Sequence, residues 1–171
     1  MTATRDIRSV TLEDVPLIPA LTARHFHDVS DYERLSELTI ASSLADGIPY
    51  LPTAQNLQVE MDAADGADPV DDMVLVELDG RVVGAAGVER VVRGDVPNYQ
   101  IWGTVHPDVR RRGLGTALLG WNLARSRVRA SREDRPPVVF GDRGSRGGRV
   151  AAHPGCRRAP RGALGRSAGQ P

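Results

Sequence analysis

Residues His106-Pro107-Asp108-Val109-Arg110-Arg111-Arg112-Gly113-Leu114-Gly115-Thr116 place three consecutive cations and two glycines directly ahead of an apolar helical pattern. Each choice is locally unfavourable. Glycine inside a helix costs about 1 kcal/mol relative to alanine, and a cation at a helix N-terminus opposes the macrodipole by roughly 0.3–1 kcal/mol. A bound anion removes both conflicts. The first turn of a helix leaves backbone N–H groups without intrahelical acceptors, and these donors form an anion site with the positive end of the dipole. Gly113 and Gly115 let a phosphate approach the main chain, and Arg110, Arg111 and Arg112 supply charge to neutralise it. A pyrophosphate-bearing ligand fits this spacing; the rival is a solvated basic helix start with a tight turn. A Walker-type site is excluded, because the chain has no lysine to complete it.

Other residue types with chemical potential are scattered. His25 and His27 are two apart and do not share a helical face, and His106 and His153 are remote in sequence, so no metal signature is present. Cys156, the single cysteine, lies in a low-complexity region and cannot form an internal disulfide, which favours a reducing, cytoplasmic compartment. Trp102 and Trp121 are expected in the core. No apolar run reaches the ~18 residues of a membrane span, and the first ten residues contain no apolar leader.

The elements that would position the basic turn follow from periodicity. A length of 171 residues allows one domain with a core. Asp6–Val10 is expected to open with a strand. Thr11 then caps a helix using Leu12, Val15, Ile18, Leu21 and Phe26, although Pro19 falls badly for it. Ser30-Asp31-Tyr32-Glu33 reads as a capping box before a helix through Leu35 and Leu38, and Thr53 caps a short helix through Leu57 and Met61. Asp62–Asp72 is an acidic linker. Met73–Leu78 and Arg81–Val92 are strands joined by the two-residue turn Asp79-Gly80, and Gly94–Pro97 turns into a third strand, Tyr99–Val105. A helix from about Gly113 to Arg129 buries Leu114, Leu118, Trp121, Ala124 and Val128, and Val138–Phe140 is a possible buried strand. The fold class is α+β, an α/β sandwich with a mixed, mostly antiparallel sheet flanked by helices.

The stretch Arg110-Arg111-Arg112-Gly113-Leu114-Gly115 resembles the R/Q-x-x-G-x-G/A signature of the GNAT superfamily of N-acetyltransferases. Its setting is similar too: a strand, His106-Pro107, the turn, then an apolar helix. The resemblance covers roughly residues 5–130, and the layout is similar to one repeat of the tandem acetyltransferases. It implies acetyl-CoA as acyl donor and a small-molecule or peptide amine as acceptor, with no membrane partner. By position it implies that the Arg111–Thr116 amides (through Arg112, Gly113, Leu114 and Gly115) hold the pyrophosphate, that Arg110 opens the signature, and that Val105 pairs with the pantetheine arm. Glu89, on the strand beside the implied site, is the candidate base; a solvated strand carboxylate is its bland alternative. His106 is a further candidate for proton transfer and Tyr99 for the acid, but their positions better suit a strand-end polar residue and a half-buried strand tyrosine. No tyrosine follows Tyr99, so the family's usual late acid is not found. The acceptor and the oligomeric state stay open.

Charge divides the chain. Residues 1–130 carry 13 Arg against 19 Asp and Glu, whereas residues 131–171 carry 9 Arg against 3. Of the 31 residues from Gly141 to Pro171, 23 are Gly, Arg, Ala or Pro, so no core face can be drawn through them. The expected organisation is therefore an acetyltransferase-like domain over residues 1–140, incomplete at its C-terminal side, and a disordered tail over 141–171. A shifted reading frame in GC-rich DNA gives this composition, and so does a natural basic tail. Incompleteness would impair catalysis. The alternative function is a basic-tailed nucleic-acid- or anion-binding protein; against it, residues 1–130 are acidic and aromatics are only 4% of the chain, so base stacking is poorly served.

Overall fold

The run Met73-Val74-Leu75-Val76 has no polar alternation, as a strand covered on both faces should. In the computed structural model all four are buried at the centre of a five-stranded sheet with the order β1-β2-β3-β4-β5. The model describes residues 9–13, 18–63, 68–93, 96–132 and 138–141. The strands are β1 (Leu21–His25), β2 (Met73–Leu78), β3 (Arg81–Arg93), β4 (Val96–Val105) and β5 (Val138–Gly141). Neighbours pair antiparallel except β4 and β5, which are parallel. The helices are α1 (Asp31–Asp46), α2 (Ala54–Ala63), the single turn α3 (Pro69–Asp72) and α4 (Leu114–Ser131).

Two helical layers cover the sheet. Met73, Leu75, Val82 and Ala85 face α1 and α2 and meet Tyr32, Leu35, Leu38 and Leu57. Val74, Val76, Val83 and Ala86 face the other way and meet Leu114 and Leu118 of α4. Fully burying one such aliphatic side chain contributes about 1.5–3 kcal/mol. A bulge between Val76 and Glu77 shifts the register of β2 on β3 and leaves Val83 as the extra residue, so that Val83 joins the α4 layer although Ala85, two residues on, faces α1 and α2. The hairpin turn is the expected one: Asp79 and Gly80 have φ of 52° and 78°, a type I′ geometry that matches the strand twist.

Several sequence expectations need correction. The helix drawn through Leu21 and Phe26 does not form there, because Leu21–His25 is β1, paired with β2. Pro19 cannot donate an amide, and Ala20 is left-handed at φ 63°, so the chain turns before Leu21. Residues 14–17 lie outside the described residues, as does most of the Asp6–Val10 segment. Its end, however, pairs with β1: Ser9 bridges Arg24, and the Val10 amide donates to the Ala23 carbonyl at 2.9 Å.

α1 begins where expected, but Ser30 makes no side-chain cap; Asp28 accepts from both the Ser30 amide and hydroxyl instead. Thr53 does cap α2, in a reciprocal box with Asn56. The acidic linker contains α3, whose Asp72 is buried between Arg125 and Arg129 of α4. Val96 and Pro97 belong to β4 rather than to a turn. α4 buries Leu114, Ala117, Leu118, Asn122, Ser126 and Ala130, whereas Ala124 is exposed and Val128 is 47% exposed. Two members of the stripe are polar and give no apolar signal: Asn122 Nδ2 donates to the Trp102 carbonyl and Ser126 Oγ to the Asn122 carbonyl, each at 2.8 Å, while the buried Asn122 Oδ1 has no hydrogen-bond partner among the described residues. Val138–Phe140 is a strand as expected. It extends to Gly141, the first residue assigned to the tail, which pairs with Ile101; residues 142–171, with Cys156, lie outside the described residues.

A buried ion pair fixes the start of α1 to the sheet. Arg24 on β1 forks onto Asp31 at 2.8 and 2.6 Å and onto Glu77 of β2 at 2.9 Å. Burial alone would raise the Asp31 carboxyl, but the Arg24 bonds and the His27 amide outweigh it and hold it below its ordinary range. Asp31→Asn is expected to cost about 3 kcal/mol, since it removes one of the two carboxylate charges that pair with buried Arg24 and replaces a bonded oxygen by an amide NH2; urea unfolding at neutral pH measures this. Asp31's folded value is depressed, so its contribution is present above the unfolded carboxyl value and is lost as pH falls through the folded one. The Asp31→Asn penalty should therefore shrink in acid. Gly87 is fixed by a different contact: a Cβ there would lie 2.5 Å from the Trp102 ring. Gly87→Ala should displace that ring and cost about 1–3 kcal/mol, with a shift in tryptophan emission as the local readout.

Candidate functional site

The basic turn is held by the residues around it. After β4 the chain makes a 3-10 turn, Pro107–Val109, and reaches α4 through Arg111 and Gly113, whose φ values are 64° and 90°. Gly113 is the N-cap of α4, and its left-handed backbone favours glycine. His106 is buried and braces the turn. His106 is tied to Arg81 through Nε2, at 2.9 Å, and to Asp108 through Nδ1, which lies 3.3 Å from the Asp108 amide and 3.5 Å from its Oδ2. His106 is thus the strand-end polar residue of the bland expectation.

At the start of α4 the amides of Thr116 and Ala117 both donate to the Gly113 carbonyl, at 3.0 and 3.1 Å. The Leu114 and Gly115 amides precede them, in positions where helix geometry supplies no intrahelical acceptor. Leu114 sends its side chain into the core, and Arg111, Arg112, Gly113, Gly115 and Thr116 are exposed. A Cβ on Gly115 would meet only Val105 Cγ2, at 4.0 Å, so the space outside this turn is open. Arg110 departs from the expectation of three equivalent phosphate cations. Its guanidinium forks onto Asp46 of α1 at 2.7 and 3.0 Å, and bonds Ser42 Oγ at 2.8 Å and the Val105 carbonyl at 3.0 Å. Arg110 therefore ties the turn to α1 and to the end of β4, and leaves Arg111 and Arg112 as the exposed cations of the motif.

The strand beside the turn is half paired. β4 pairs with β3 along its whole length but with β5 only from Asn98 to Ile101. Trp102 to Val105 have no strand on that second side among the described residues. The His106 amide bonds the Val83 carbonyl. By antiparallel alternation, Gly103 and Val105 then direct their backbone groups to the open edge. Arg110 takes the Val105 carbonyl, so the Val105 amide is what that residue presents there.

On the α1/α2 face of the sheet lies a cavity of about 580 Å³. Glu89, Gln100, Trp102 and Thr104 form its floor, with Tyr50 and Glu60 on the helical side. Glu89 and Gln100 are cross-strand partners, as are Gly87 and Trp102. Trp102 is consequently both a core residue and a wall of the cavity. Tyr99 faces the opposite layer, fully buried with Val88, Ile101 and Ala130, away from the cavity. The structure brings Val105 and Arg110–Thr116 together at one end of β4 and places Glu89 on the cavity floor. Sequence reasoning missed Asp46, Tyr50 and Glu60. Tyr50 donates to both Glu60 oxygens across ten residues and an intervening Pro52, a separation with no periodic signal. None of the described helices is long and apolar enough to cross a membrane.

The model of the GNAT family of acetyltransferases matches residues 38–133, from within α1 to just beyond α4. A mycothiol acetyltransferase of Nocardiopsis dassonvillei is 40% identical over 87 residues, which are 51% of this chain and 24% of that protein. A GCN5-related N-acetyltransferase from Sphaerobacter thermophilus is similar in structure with a TM-score of 0.58 and 26% identity, over 73% of this chain and 38% of that one. A GNAT family acetyltransferase from Brucella melitensis, in complex with acetyl-CoA, has a TM-score of 0.52 and 20% identity, over 71% of this chain and 76% of that one, a likeness of fold. The chain thus spans about a quarter of the length of the curated relative it matches. With the family match covering more than half of the 171 residues, and the glycine-arginine turn inside it, the chain belongs to the GNAT family of acetyltransferases.

Proposed function

We propose that the chain catalyses acetyl transfer from acetyl-CoA to an amine, a small molecule or a peptide, in the cytoplasm. The observation that carries this is the juxtaposition of an open β4 edge with a glycine-lined helix start whose outer side is unobstructed. A pyrophosphate fits that start. The Leu114 and Gly115 amides point out of the first turn, the Thr116 hydroxyl is exposed beside them, and Arg111 and Arg112 supply charge. The Val105 amide is placed to pair with an extended, amide-bearing arm along the free edge, as an added strand would. Arg110 acts by holding the turn and the Val105 carbonyl. The cytoplasmic setting is supported by the single cysteine.

When bound, acetyl-CoA supplies an activated acyl group as a thioester. The cavity on the α1/α2 face receives the amine, which must be neutral to attack. Glu89 on its floor is the residue placed to take the proton, directly or through a water. The new C–N bond forms as the C–S bond breaks, and the departing thiolate takes up a proton. The mycothiol acetyltransferase relative supports an amine acceptor, although this chain spans only a quarter of that protein.

Gly115→Glu places a carboxylate where the pyrophosphate is expected, and the open space around Gly115 lets the variant fold. Calorimetry with CoA on both folded proteins should show binding lost or weakened by at least about tenfold. Equal affinity would refute the proposal. Glu89→Gln should bind CoA normally and lower kcat by about 10²–10⁴ in a thiol-release assay with an amine panel; an unchanged kcat removes Glu89 from the mechanism.

A further inference from the structure

The cavity beside β4 carries a charge pattern that acetyl transfer alone does not require. Its described lining contains two carboxylates, Glu60 and Glu89, and no arginine, lysine or histidine. The carboxylates come from different walls. Glu89 stands on the sheet floor beside Gln100, two residue pairs along from Trp102 on Gly87 and Thr104 on Ala85 in steps of two. Glu60 stands on the helical wall, on α2. The Tyr50 hydroxyl donates to both Glu60 oxygens, at 3.2 and 3.0 Å, and so orients that carboxylate. Burial first, and then Glu60 itself, push the Tyr50 phenol up to about 12, so the hydroxyl keeps the proton it donates to Glu60.

Between the two carboxylates the walls suit an aliphatic body. Trp102 contributes a ring, packed against the Gly87 backbone, and Leu57 and Met61 of α2 contribute apolar surface. An aromatic ring beside two carboxylates favours cations further, through the negative face of its π-system. An acceptor ending in a carboxylate would meet the reverse at Glu60, a like charge, with no cation among the described lining residues to pair with it. Such unpaired charge in a partly desolvated cavity is strongly disfavoured.

We propose that the cavity selects an acceptor amine whose far end carries a second positive charge, with Glu60 holding that end and Glu89 facing the amine that reacts. This rests on the acetyl-transfer reading and specifies its substrate class. Glu60 is a specificity-determining residue in this scheme, remote from the reacting atoms and oriented by Tyr50.

The test uses three four-carbon amines that differ only at the far end: 1,4-diaminobutane, butylamine and 4-aminobutanoate. Each is titrated into the full chain in the presence of saturating CoA, with binding read by calorimetry or by tryptophan emission from Trp102. The diamine should bind at least about tenfold tighter than butylamine, and 4-aminobutanoate weakest. Glu60→Gln, a conservative change at an exposed position, should bring the diamine's affinity down to that of butylamine. Equal binding of diamine and butylamine, tightest binding of 4-aminobutanoate, a diamine preference that survives Glu60→Gln, or no binding of any of the three would overturn the inference. Thiol release in the same samples separates the two claims. Acetyl transfer without charge preference sinks the substrate class and leaves the reaction standing; charge-selective binding without any transfer sinks the reaction.

Discussion

Among the described residues, β4 is paired on both sides over Asn98–Ile101 and on one side only over Trp102–Val105. Backbone N–H and C=O groups within a sheet demand partners, and an unpaired edge is a template for another extended chain. Much of the structure is arranged around that edge. The bonds of Arg110 satisfy the Val105 carbonyl and leave the amide facing outward. Asn122, buried in α4, donates to the Trp102 carbonyl and so ties α4 to β4. The basic turn begins directly where β4 stops, so an anion at the helix start and an extended arm on the edge can belong to one ligand.

The two faces of the sheet then take different duties. The α4 face is packed with Val74, Val76, Val83 and Leu114, and its close approach is permitted by Gly84, where a Cβ would sit 3.1 Å from Leu114 Cδ2. This fixes the start of α4 against the sheet. The α1/α2 face closes over Leu75 and Ala85 but leaves the cavity over Glu89 and Trp102. The open edge lies between the two faces, with the start of α4 on one side and the cavity on the other.

Buried and half-buried ion pairs join the layers. Arg24 with Asp31 and Glu77 anchors the start of α1, Asp72 with Arg125 and Arg129 anchors α4 beside α3, and Arg110 with Asp46 anchors the end of α1 to the basic turn. Removing one partner of such a pair exposes the other to an uncompensated desolvation penalty, so these contacts specify geometry more than they add net stability. Arg110 illustrates the point, since its charge is spent on placing the turn that presents Arg111 and Arg112.

The sequence by itself determined the elements whose signals are local. Met73–Leu78, the Asp79-Gly80 turn, the strand after it, the start of α4 and the strand at Val138 all rest on neighbouring residues: apolar runs, a two-residue turn and a glycine N-cap. The basic glycine turn was legible for the same reason, because its oddity lies within six consecutive residues. Tertiary structure decided what depends on contacts between distant residues. Leu21–His25 became a strand because β2 offered an edge, although its apolar spacing also fitted a helix. Asn122 and Ser126 entered the buried stripe because backbone carbonyls met their polar atoms. Arg110 left the phosphate cations because Asp46, 64 residues earlier, lay within reach. Tyr50, Glu60 and Glu89 share one cavity through packing of α2 on the sheet. Periodicity records which face a residue prefers, but the choice of partner is made where chain segments meet, and that information is absent from any local window.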